Sequence, residues 1–551
     1  MWVVYLSALV SAILAAEPTA STSSECVSYL SRPDLFVPRL DVRLNELQKP
    51  TADYWLFSTW GGACQHAPYI YDREGLVWSG YQPDMADIGN FNLKRHELAN
   101  GSHILSLVRG KSERGRGQGH VLLLDDAYRP IRTIRAETPG TALDFHEFNL
   151  LDGGAKAIIA SFQPVQGDLS AYDITQGLGW VLDSVFQEID LQSGEVLFEW
   201  RAWDHVPLSE TSISPDGDAG GGRSSFVAFD YFHINSVDKF PNGDYLVSAR
   251  HTDCVYRISG KDGSVPWRMG GRNSTIQLAD FDFSAQHDAR ILSEEGNTLR
   301  MSFFNNGWNG ISQTRNASAA MVVEIDHTTS PSIARLLHER FSLQGGLARH
   351  QGTVQTLPNG NMFVSWGQVA EFSEFTSDGE RILDAAFVDV EAHVYRVAKV
   401  PWQGFPDTMP DLYLYARAAG EPTHFYVSWN GATEVAAWNI YSADEQGKGE
   451  KAGSLLGKVA KNGFETHFES PRFVSAGFAE AVDKDGQVLA HSKILPTPDG
   501  DLVRQDFGRV QPLSEGTIGF PLALIQAFVV AVAGFLVGSF SQTSGIRRLL
   551  R

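Results

Sequence analysis

The sequence predicts an all-β protein: a six-bladed β-propeller over residues 45–400, then a small β-sandwich and a C-terminal transmembrane helix. Three observations predict this architecture. A β-hairpin pattern recurs six times, and a second strand–turn–strand unit recurs between the hairpins. In addition, no long amphipathic helix pattern occurs between residues 50 and 500. Regular repetition of short strands with turn residues between them is typical of propellers.

The first repeating unit is a hairpin with alternating apolar residues on both sides of a polar turn. It begins at Tyr69 (YIYDREGLVWSGY), Val121 (VLLLDDAYRPIRTI), Phe186 (FQEIDLQSGEVLFEW), Val255 (VYRISGKDGSVPWRM), Val322 (VVEIDHTTSPSIARLL) and Ala370 (AEFSEFTSDGERIL). Four of these hairpins have an aspartate at the same place, namely Asp72, Asp125, Asp190 and Asp326. The spacing, with about four strands per repeat, indicates propeller blades.

The second unit is a pair of strands joined by a turn near Asn-Gly or Gly-Gly. It occurs as FNLKRHELANGSHILSLV, FHEFNLLDGGAKAIIASF, FHINSVDKFPNGDYLVSA, QHDARILSEEGNTLRMSF and RHQGTVQTLPNGNMFVSW. Five such inner units and six outer hairpins favour six blades. A seven-bladed ring or a pair of β-sandwiches stays open as an alternative.

The two ends of the chain predict targeting and anchoring segments. Residues 1–16 form an apolar run that ends in small residues, as in a signal peptide, although an uncleaved anchor is the alternative. A lead-in covers 17–44, a Pro-rich linker 401–408, a fibronectin-III-like module 409–497 and a polar stalk 498–517. Residues 518–540 carry no charge and are long enough to cross a bilayer, with a buried core helix as the alternative. The basic tail 541–551 predicts a cytosolic C-terminus and a lumenal or extracellular body.

Charge and cysteine usage limit the partners. A formal net charge of −20 argues against nucleic-acid binding, which requires a basic face. Three sequons, at Asn100, Asn273 and Asn316, predict glycosylation in the secretory pathway. The chain has three cysteines, of which Cys26 and Cys64 are a possible disulfide pair. Their spacing does not support a zinc site built on cysteine. No metal and no cofactor is predicted.

The strongest functional pattern is a histidine at one position of the repeat. Aligned on their turns, the inner units place His146, His233, His287 and His350 at nearly the same offset, whereas the first unit has Phe91 there. Because innermost strands line the central channel of a propeller, these four side chains are expected to converge. The alternative is that each histidine only hydrogen-bonds a neighbouring blade.

Arginines near these histidines predict an anion site. Arg250 and Arg315 are the preferred anion-binding candidates, with a salt bridge to an acidic residue as the alternative for each. Arg349, directly beside His350, is expected to point away by strand alternation. Four aromatic residues could face a bound phenol ring or pack between blades, namely Phe145, Phe232, Trp308 and Trp366.

The motifs DYFHINSV…PNGDYLVSARH, VPWRMGG…FSAQHDARIL, MVVEID and ARHQGTVQTLPNGNMFVSWG together resemble the arylsulfotransferase (arylsulfate sulfotransferase, ASST-like) family. With PTHFYVSWNGATEVAAWNIY, the resemblance is to the branch of filamentous fungi and covers about residues 25–480. It implies sulfuryl transfer from an aryl sulfate ester to a phenol, without a nucleotide sulfate donor, through a sulfo-histidine.

Carried onto this chain, the resemblance implies one role for each histidine. His350 would be the nucleophile, and His287 and His233 would bind sulfate and act as acid and base. His146 and Arg250 would contact the substrate. The arginine of the family is not clearly reproduced at its spacing, and Arg315, the first arginine after FFNNGWNG, is taken as its catalytic counterpart.

Other functions stay open at the level of the sequence. They are a metal-dependent lyase or hydrolase built on the histidine ring, a non-catalytic membrane-anchored binding propeller, and a family propeller that performs another tailoring reaction in secondary metabolism. The predicted partner is a small aromatic or phenolic molecule.

Overall fold

A computed structural model describes residues 25–44, 53–85, 88–136, 142–309, 311, 313–443 and 453–498. The predicted signal peptide, stalk, membrane segment and tail lie outside the described residues, apart from residue 498. Within those ranges, no helix combines the length and the apolar character needed to cross a bilayer.

The described chain is almost entirely β-structure, as the alternating pattern predicts. Its first half contains β1 (Cys26–Ser28), β2 (Phe36–Pro38), β3 (Leu40–Leu44), β4 (Tyr54–Trp60), β5 (Pro68–Asp72), β6 (Gly75–Ser79), β7 (Gly89–Glu97), β8 (His103–Glu113), β9 (Arg116–Leu124), β10 (Pro130–Ile134), β11 (Leu143–Leu151), β12 (Lys156–Leu169), β13 (Ile174–Asp190) and β14 (Val196–Arg201). A four-residue helix, α1 (Ala202–His205), follows.

The strands continue to the end of the described region. They are β15 (Ile234–Lys239), β16 (Tyr245–Ala249), β17 (Cys254–Ile258), β18 (Trp267–Gly270), β19 (Ile276–Ala279), β20 (His287–Glu295), β21 (Thr298–Asn305), β22 (Ala319–Asp326), β23 (Ser332–Arg340), β24 (Thr353–Thr356), β25 (Met362–Ser365), β26 (Glu371–Phe375), β27 (Arg381–Phe387), β28 (His393–Val400), β29 (Asp411–Ala416), β30 (Thr423–Ser428), β31 (Ala437–Ser442), β32 (Leu455–Ala460), β33 (Glu465–Ser470), β34 (Ala476–Val482), β35 (Val488–His491) and β36 (Leu495–Pro496).

Successive strands pair antiparallel in groups of four. The groups are β7–β10, β11–β14, β15–β18, β20–β23 and β24–β27, and β28 pairs with β4 to complete a group with β5 and β6. The first strands of the groups, β28, β7, β11, β15, β20 and β24, contact one another in a closed cycle. These six strands therefore surround a common axis, and the arrangement is propeller-like.

Both repeating units of the sequence correspond to strand pairs. The outer hairpins are β5–β6, β9–β10, β13–β14, β17–β18, β22–β23 and β26–β27. The five inner units are β7–β8, β11–β12, β15–β16, β20–β21 and β24–β25. The sixth inner pair, β28 with β4, joins distant parts of the sequence, so the repeat pattern did not contain it.

Residues after 410 form a separate pair of sheets. One sheet contains β29, β30 and β33, and the other contains β31, β32, β34, β35 and β36. Apolar side chains of both sheets, including Phe425 and Trp438, pack into one core. This unit contacts the ring of strands at Tyr128, whose hydroxyl donates to the Gly431 carbonyl over 2.8 Å.

The structure contains a disulfide between Cys26 and Cys64, the pairing considered from the sequence. Among the described residues, Cys254 is a free and buried thiol. The three sequon asparagines, Asn100, Asn273 and Asn316, are exposed, which a glycosylation site requires. Their modification stays a prediction.

Candidate active site

A cavity of about 290 Å³ lies at the ring of innermost strands. Five histidines and two arginines border it, namely His146, His233, His251, His287, His350, Arg250 and Arg114. All four histidines of the repeat position therefore meet in one cavity, as does Arg250. The sequence pattern predicted this convergence because the repeat brings equivalent positions to the same axis.

His146 is a buried residue of β11. Its Nδ1 lies 2.5 Å from Oδ1 of Asp144, and Oδ2 of Asp144 accepts the Gly117 amide. Because a carboxylate oxygen accepts hydrogen bonds, Nδ1 of His146 donates to Asp144 and Nε2 is directed away from that carboxylate. Asp144 thereby fixes both the ring orientation and the tautomer.

His233 stands immediately before β15 with a φ of 55°, a left-handed conformation that is rare for a residue with a side chain. Its Nδ1 lies 2.6 Å from Oδ2 of Asp230, and its carbonyl accepts the Arg250 amide. Burial, followed by the nearby His146 and Arg250, holds the pKa of His233 well below the ordinary value. The ring is therefore neutral at physiological pH, although a carboxylate is beside it.

His251 is a site residue that the sequence analysis missed. It lies in the short turn after β16, where Nδ1 is 2.5 Å from the Asp230 carbonyl oxygen. Its ring centroid is 4.5 Å from that of His233. A signal existed in the sequence, since Ala-Arg-His occurs both at residues 249–251 and at residues 348–350.

His287 begins β20 and is held on both ring nitrogens. Nδ1 lies 2.7 Å from Oδ1 of Asn306, and the Gln351 amide donates to Nε2 over 3.3 Å. Burial and the charge of Arg250 hold the pKa of His287 well below the ordinary value. The ring thus connects β20 to the loop that carries His350.

His350 differs from the other four histidines because it is exposed and Nδ1 accepts a hydrogen bond. Nη2 of Arg250 lies 3.3 Å from this nitrogen and 3.1 Å from the Arg349 carbonyl oxygen. A cationic donor is therefore already beside His350. The Arg349 side chain lies over the Trp308 ring and does not line the cavity, as predicted, but the reason is not strand alternation, because Arg349 and His350 precede β24.

Arg315 lies outside this cavity, contrary to its predicted catalytic role. Its guanidinium pairs with Glu339 over 2.6 Å and approaches Asp282 over 3.6 Å, beside a different cavity. Two carboxylates therefore neutralise Arg315 outside the histidine cluster. Of the two predicted arginines, Arg250 is the one that lines the histidine cavity, where it hydrogen-bonds to His350.

Aromatic rings form one side of the cavity. Phe145, Trp60 and Tyr395 line it, whereas the sequence analysis named only Phe145 of these three. Tyr395 meets His146 edge to face with ring centroids 5.4 Å apart. Phe232 and Trp366 are fully buried in apolar cores and do not line this cavity.

A cluster of ion pairs lies on the innermost strands beside the histidines. Its centre is Glu147, which directly follows His146 in β11. Glu147 pairs with Lys94 over 2.7 Å, with Arg290 over 2.6 Å and with Arg396 over 3.5 Å. Burial opposes ionisation of Glu147, but the three cations outweigh it and hold the pKa of Glu147 below the ordinary value. Asp288 and Arg396 border a second cavity of about 510 Å³.

Comparisons with solved structures give distant likenesses. A Bacteroides caccae protein of unknown function is 12% identical, covers 62% of this chain and 99% of its own, and has a TM-score of 0.35. A catalytically inactive virginiamycin B lyase from Staphylococcus aureus with quinupristin is 9% identical, with coverages of 71% and 85% and a TM-score of 0.26. The Cps50 (Swd1) β-propeller domain of Myceliophteria thermophila is 12% identical, with coverages of 74% and 96% and a TM-score of 0.29.

No curated protein matches the chain. The family comparison is more specific, because the pattern described as "Arylsulfotransferase (ASST)" matches residues 95–388. This match covers more than half of the 551 residues and includes all five histidines of the cavity. The chain therefore belongs to the arylsulfotransferase (ASST) family.

Proposed function

We propose that this protein transfers a sulfuryl group from an aryl sulfate ester to a phenolic acceptor through a sulfo-histidine, without a nucleotide sulfate donor. The observation that carries the proposal is the convergence of five histidines and Arg250 in one cavity. Family membership supports the reaction class. The aromatic side formed by Trp60, Phe145 and Tyr395 suits a phenol ring.

His350 is the proposed nucleophile. A sulfuryl oxygen is a stronger acceptor than an imidazole nitrogen, so a bound sulfate ester would attract Nη2 of Arg250. The lone pair of His350 Nδ1 would then lie next to the sulfur atom. Attack forms the N–S bond while the aryl O–S bond breaks, and the aryl oxygen leaves as a phenolate. Arg250 stabilises the charge on the transferring group, as cations do in phosphoryl transfer.

His233 is the proposed general base of the second step. Its Nε2 takes the proton of the acceptor phenol while the phenol oxygen attacks sulfur and the N–S bond breaks. Asp230 at Nδ1 stabilises the resulting imidazolium, as the aspartate of a catalytic triad does. The first phenolate takes up a proton from solvent, and the imidazolium of His233 returns its proton to solvent, so protons balance over the two steps. Two successive transfers through one intermediate predict ping-pong kinetics.

His287 and His146 are proposed to support these groups. Because both nitrogens of His287 are engaged within the protein, this ring positions Gln351 and thereby His350. His146 borders the substrate with Nε2, since Asp144 holds its Nδ1.

Finer features of the molecule are also part of this proposal. We propose that the six groups of strands are the blades of a six-bladed propeller, which the closed cycle of innermost strands supports. The C-terminal pair of sheets is proposed to be a fibronectin-III-like module. We propose a single-pass membrane protein of the secretory pathway with a cytosolic C-terminus. The Cys26–Cys64 disulfide supports an oxidising compartment.

The test is incubation of the protein with p-nitrophenyl sulfate, with and without a phenol. Intact mass spectrometry should detect one added SO₃ group, which the phenol then removes. His350→Ala should abolish both the adduct and the release of p-nitrophenol. The matched control is His338→Ala, because His338 is an exposed histidine of β23 away from the cavity. Wild-type protein that stays unmodified and releases no p-nitrophenol would contradict the proposal.

A further inference from the structure

One charged group on the border of the histidine cavity has no role in the proposed reaction. Arg250 is assigned to the sulfuryl group, and the Asp230 carboxylate is bonded to Nδ1 of His233 over 2.6 Å. Arg114 is a second cation on the border of the same cavity. No aspartate or glutamate among the described residues forms an ion pair with Arg114. Its positive charge is therefore available to a bound molecule.

We propose that Arg114 binds a second anionic group of the substrate, and that the preferred acceptor is a phenol that carries a carboxylate. The inference rests on the proposed sulfuryl transfer, because it names the class of acceptor for that reaction. Arg114 would determine specificity without taking part in the transfer itself.

Arg114 reaches the cavity because it lies at the tip of a long hairpin. β8 has 11 residues and β9 has 9 residues, and Gly110 is the last residue of β8 that pairs with β7. Residues 111–116 therefore extend past the neighbouring strand. Arg114 and Gly115 form a two-residue turn with φ values of 52° and 74°, the positive values that a tight hairpin turn requires. Ser112, Arg114 and Gly115 of this tip line the cavity.

An aromatic ring holds the Arg114 guanidinium in place. Its Cζ atom lies over the ring of Phe226, 5.2 Å from the ring centroid. A cation–π contact attracts the positive charge of the guanidinium and leaves its N–H donors for a hydrogen-bond acceptor. A planar carboxylate matches the fork of these donors. Phe226 thus orients Arg114 without neutralising its charge.

The molecule also has space for a substrate that is longer than a phenol. A neighbouring cavity of about 480 Å³ is lined by several residues that include Arg116, Phe162 and Phe226. The ring centroid of Phe162 lies 5.7 Å from that of His233, and Phe226 contacts Arg114. The two cavities are therefore adjacent. A phenol ring at the histidines can extend a substituent past Arg114 into this space.

The charges along this route favour an anion. Glu113 borders the neighbouring cavity and lies opposite Arg116 across the hairpin. It is exposed, so water and salt screen its negative charge. Arg114 and Arg116 against Glu113 leave one positive charge in excess. A carboxylate on the acceptor would use this charge, whereas a neutral substituent would not.

The experiment compares carboxylate acceptors with their methyl esters, with p-nitrophenyl sulfate as the donor. The acids are 4-hydroxybenzoate, 4-hydroxyphenylacetate and 3-(4-hydroxyphenyl)propanoate, which place the carboxylate at increasing distances from the phenol oxygen. For at least one acid, kcat/KM should exceed that of its ester by at least about tenfold, because hydrogen bonds between charged groups are strong. Arg114→Met should lower this ratio to about one, and Arg114→Lys should retain part of it. Comparison of the ratios between proteins cancels the intrinsic reactivity of each phenol.

The matched control is Arg300→Met, which should keep the wild-type ratio. Arg300 is an exposed arginine of β21 that pairs with Glu324 outside the cavity. Isothermal titration of each acid and ester without donor measures recognition apart from transfer, and the preferred acid should bind at least about tenfold more tightly than its ester.

The proposal is overturned if no acid binds wild-type protein more tightly than its ester, or if Arg114→Met keeps the preference. Absence of transfer to every acceptor, including phenol itself, would contradict the proposed function instead. The titrations would then still decide whether Arg114 recognises a carboxylate.

Discussion

At the scale of the residue, hydrogen-bond acceptors decide what the cavity can do. Four of its five histidines have Nδ1 next to an acceptor, namely His146 with Asp144, His233 with Asp230, His251 with the Asp230 carbonyl and His287 with Asn306. Each acceptor fixes a tautomer, so the Nε2 lone pairs are set by the fold. His350 alone has an arginine at Nδ1, which makes Arg250 the residue that distinguishes it.

Replacement of Arg250 tests the assignment of the anion-binding arginine. Arg250→Lys should lower kcat/KM for p-nitrophenyl sulfate by about 10²-fold, because a single ammonium cannot reproduce the fork of guanidinium donors. The measurement is steady-state release of p-nitrophenol. Arg315→Lys is the control and should leave kcat/KM unchanged, since its guanidinium pairs with Glu339 and Asp282 outside the cavity. If Arg315→Lys lowered kcat/KM and Arg250→Lys did not, Arg315 and not Arg250 would be the anion-binding arginine.

A histidine outside the cavity predicts acid sensitivity. His96 bonds to the Ser106 hydroxyl over 2.7 Å, and burial, followed by the charge of Lys94, lowers the pKa of His96 from 6.5 to about 3. The unfolded chain therefore binds a proton that the folded state does not bind between these values. Stability should be fully present above pH 6.5 and should fall below it, by at most about 1.4 kcal/mol per pH unit.

The measurement for His96 is urea unfolding at pH 7.5, 6 and 5. His96→Gln keeps a donor for Ser106 but does not titrate, so its loss of stability with falling pH should be smaller than that of wild type. His103→Gln, at a partly exposed position of β8, should retain the wild-type slope. Equal slopes for all three proteins would show that His96 does not contribute.

At the scale of the element, four of the six innermost strands have an irregular residue at or near their start. Asn92, His233, Asp288 and Gln351 all have positive φ values, between 55° and 66°, next to or at the histidine position of their group. The register also shifts near His287 in β20. Such backbone strain persists only where surrounding contacts hold it, and it concentrates at functional sites. Three of these four residues are His233 itself or the direct neighbours of His287 and His350, all of which line the cavity.

Gly352 tests this entry in the group that carries His350. Its φ is 109°, and a Cβ there would lie 2.3 Å from a ring carbon of Phe304. Gly352→Ala should therefore displace Gln351, which bonds to His287, and should lower both stability and sulfuryl transfer. We expect a loss of more than about 2 kcal/mol in the free energy of unfolding, measured by urea titration.

The control for Gly352 is Gly360→Ala. Gly360 also has a positive φ, of 83°, but the nearest atom to its Cβ is 3.8 Å away. The backbone cost is then about 1–2 kcal/mol without a steric clash, and activity should stay at the wild-type level. If Gly352→Ala and Gly360→Ala changed activity equally, the conformation at Gly352 would not be what positions His350.

At the scale of the whole molecule, closure of the ring depends on residues far apart in the sequence. β28 pairs with β4, and its residues Tyr395 and Arg396 enter the cavity and the ion cluster. The cluster around Glu147 draws cations from β7, β20 and β28. The buried carboxylate of Glu147 in β11 therefore connects its own group with three others at the common axis.

Glu147→Gln should destabilise the whole ring. It leaves Lys94, Arg290 and Arg396 without their shared carboxylate, and breaking a buried ion pair from one side typically costs about 3–5 kcal/mol. The measurement is the urea midpoint followed by tryptophan fluorescence. Glu97→Gln is the control, because Glu97 is 63% exposed and should change the midpoint little. If the urea midpoint of Glu147→Gln equalled that of wild type, the ion cluster would make no net contribution to the free energy of unfolding.

The sequence alone determined the strands, the hairpins and the meeting of four histidines. These follow from local alternation, turn residues and a constant offset within a repeat, which a linear pattern retains. Tertiary structure decided the closure by β28, the entry of His251 and Asp230 into the cavity, and the exclusion of Arg315. These outcomes depend on how loops turn and on which charges they meet from other groups, as Arg315 meets Glu339. Pairing between distant residues has no signature in the order of the chain, because the folded backbone creates that proximity.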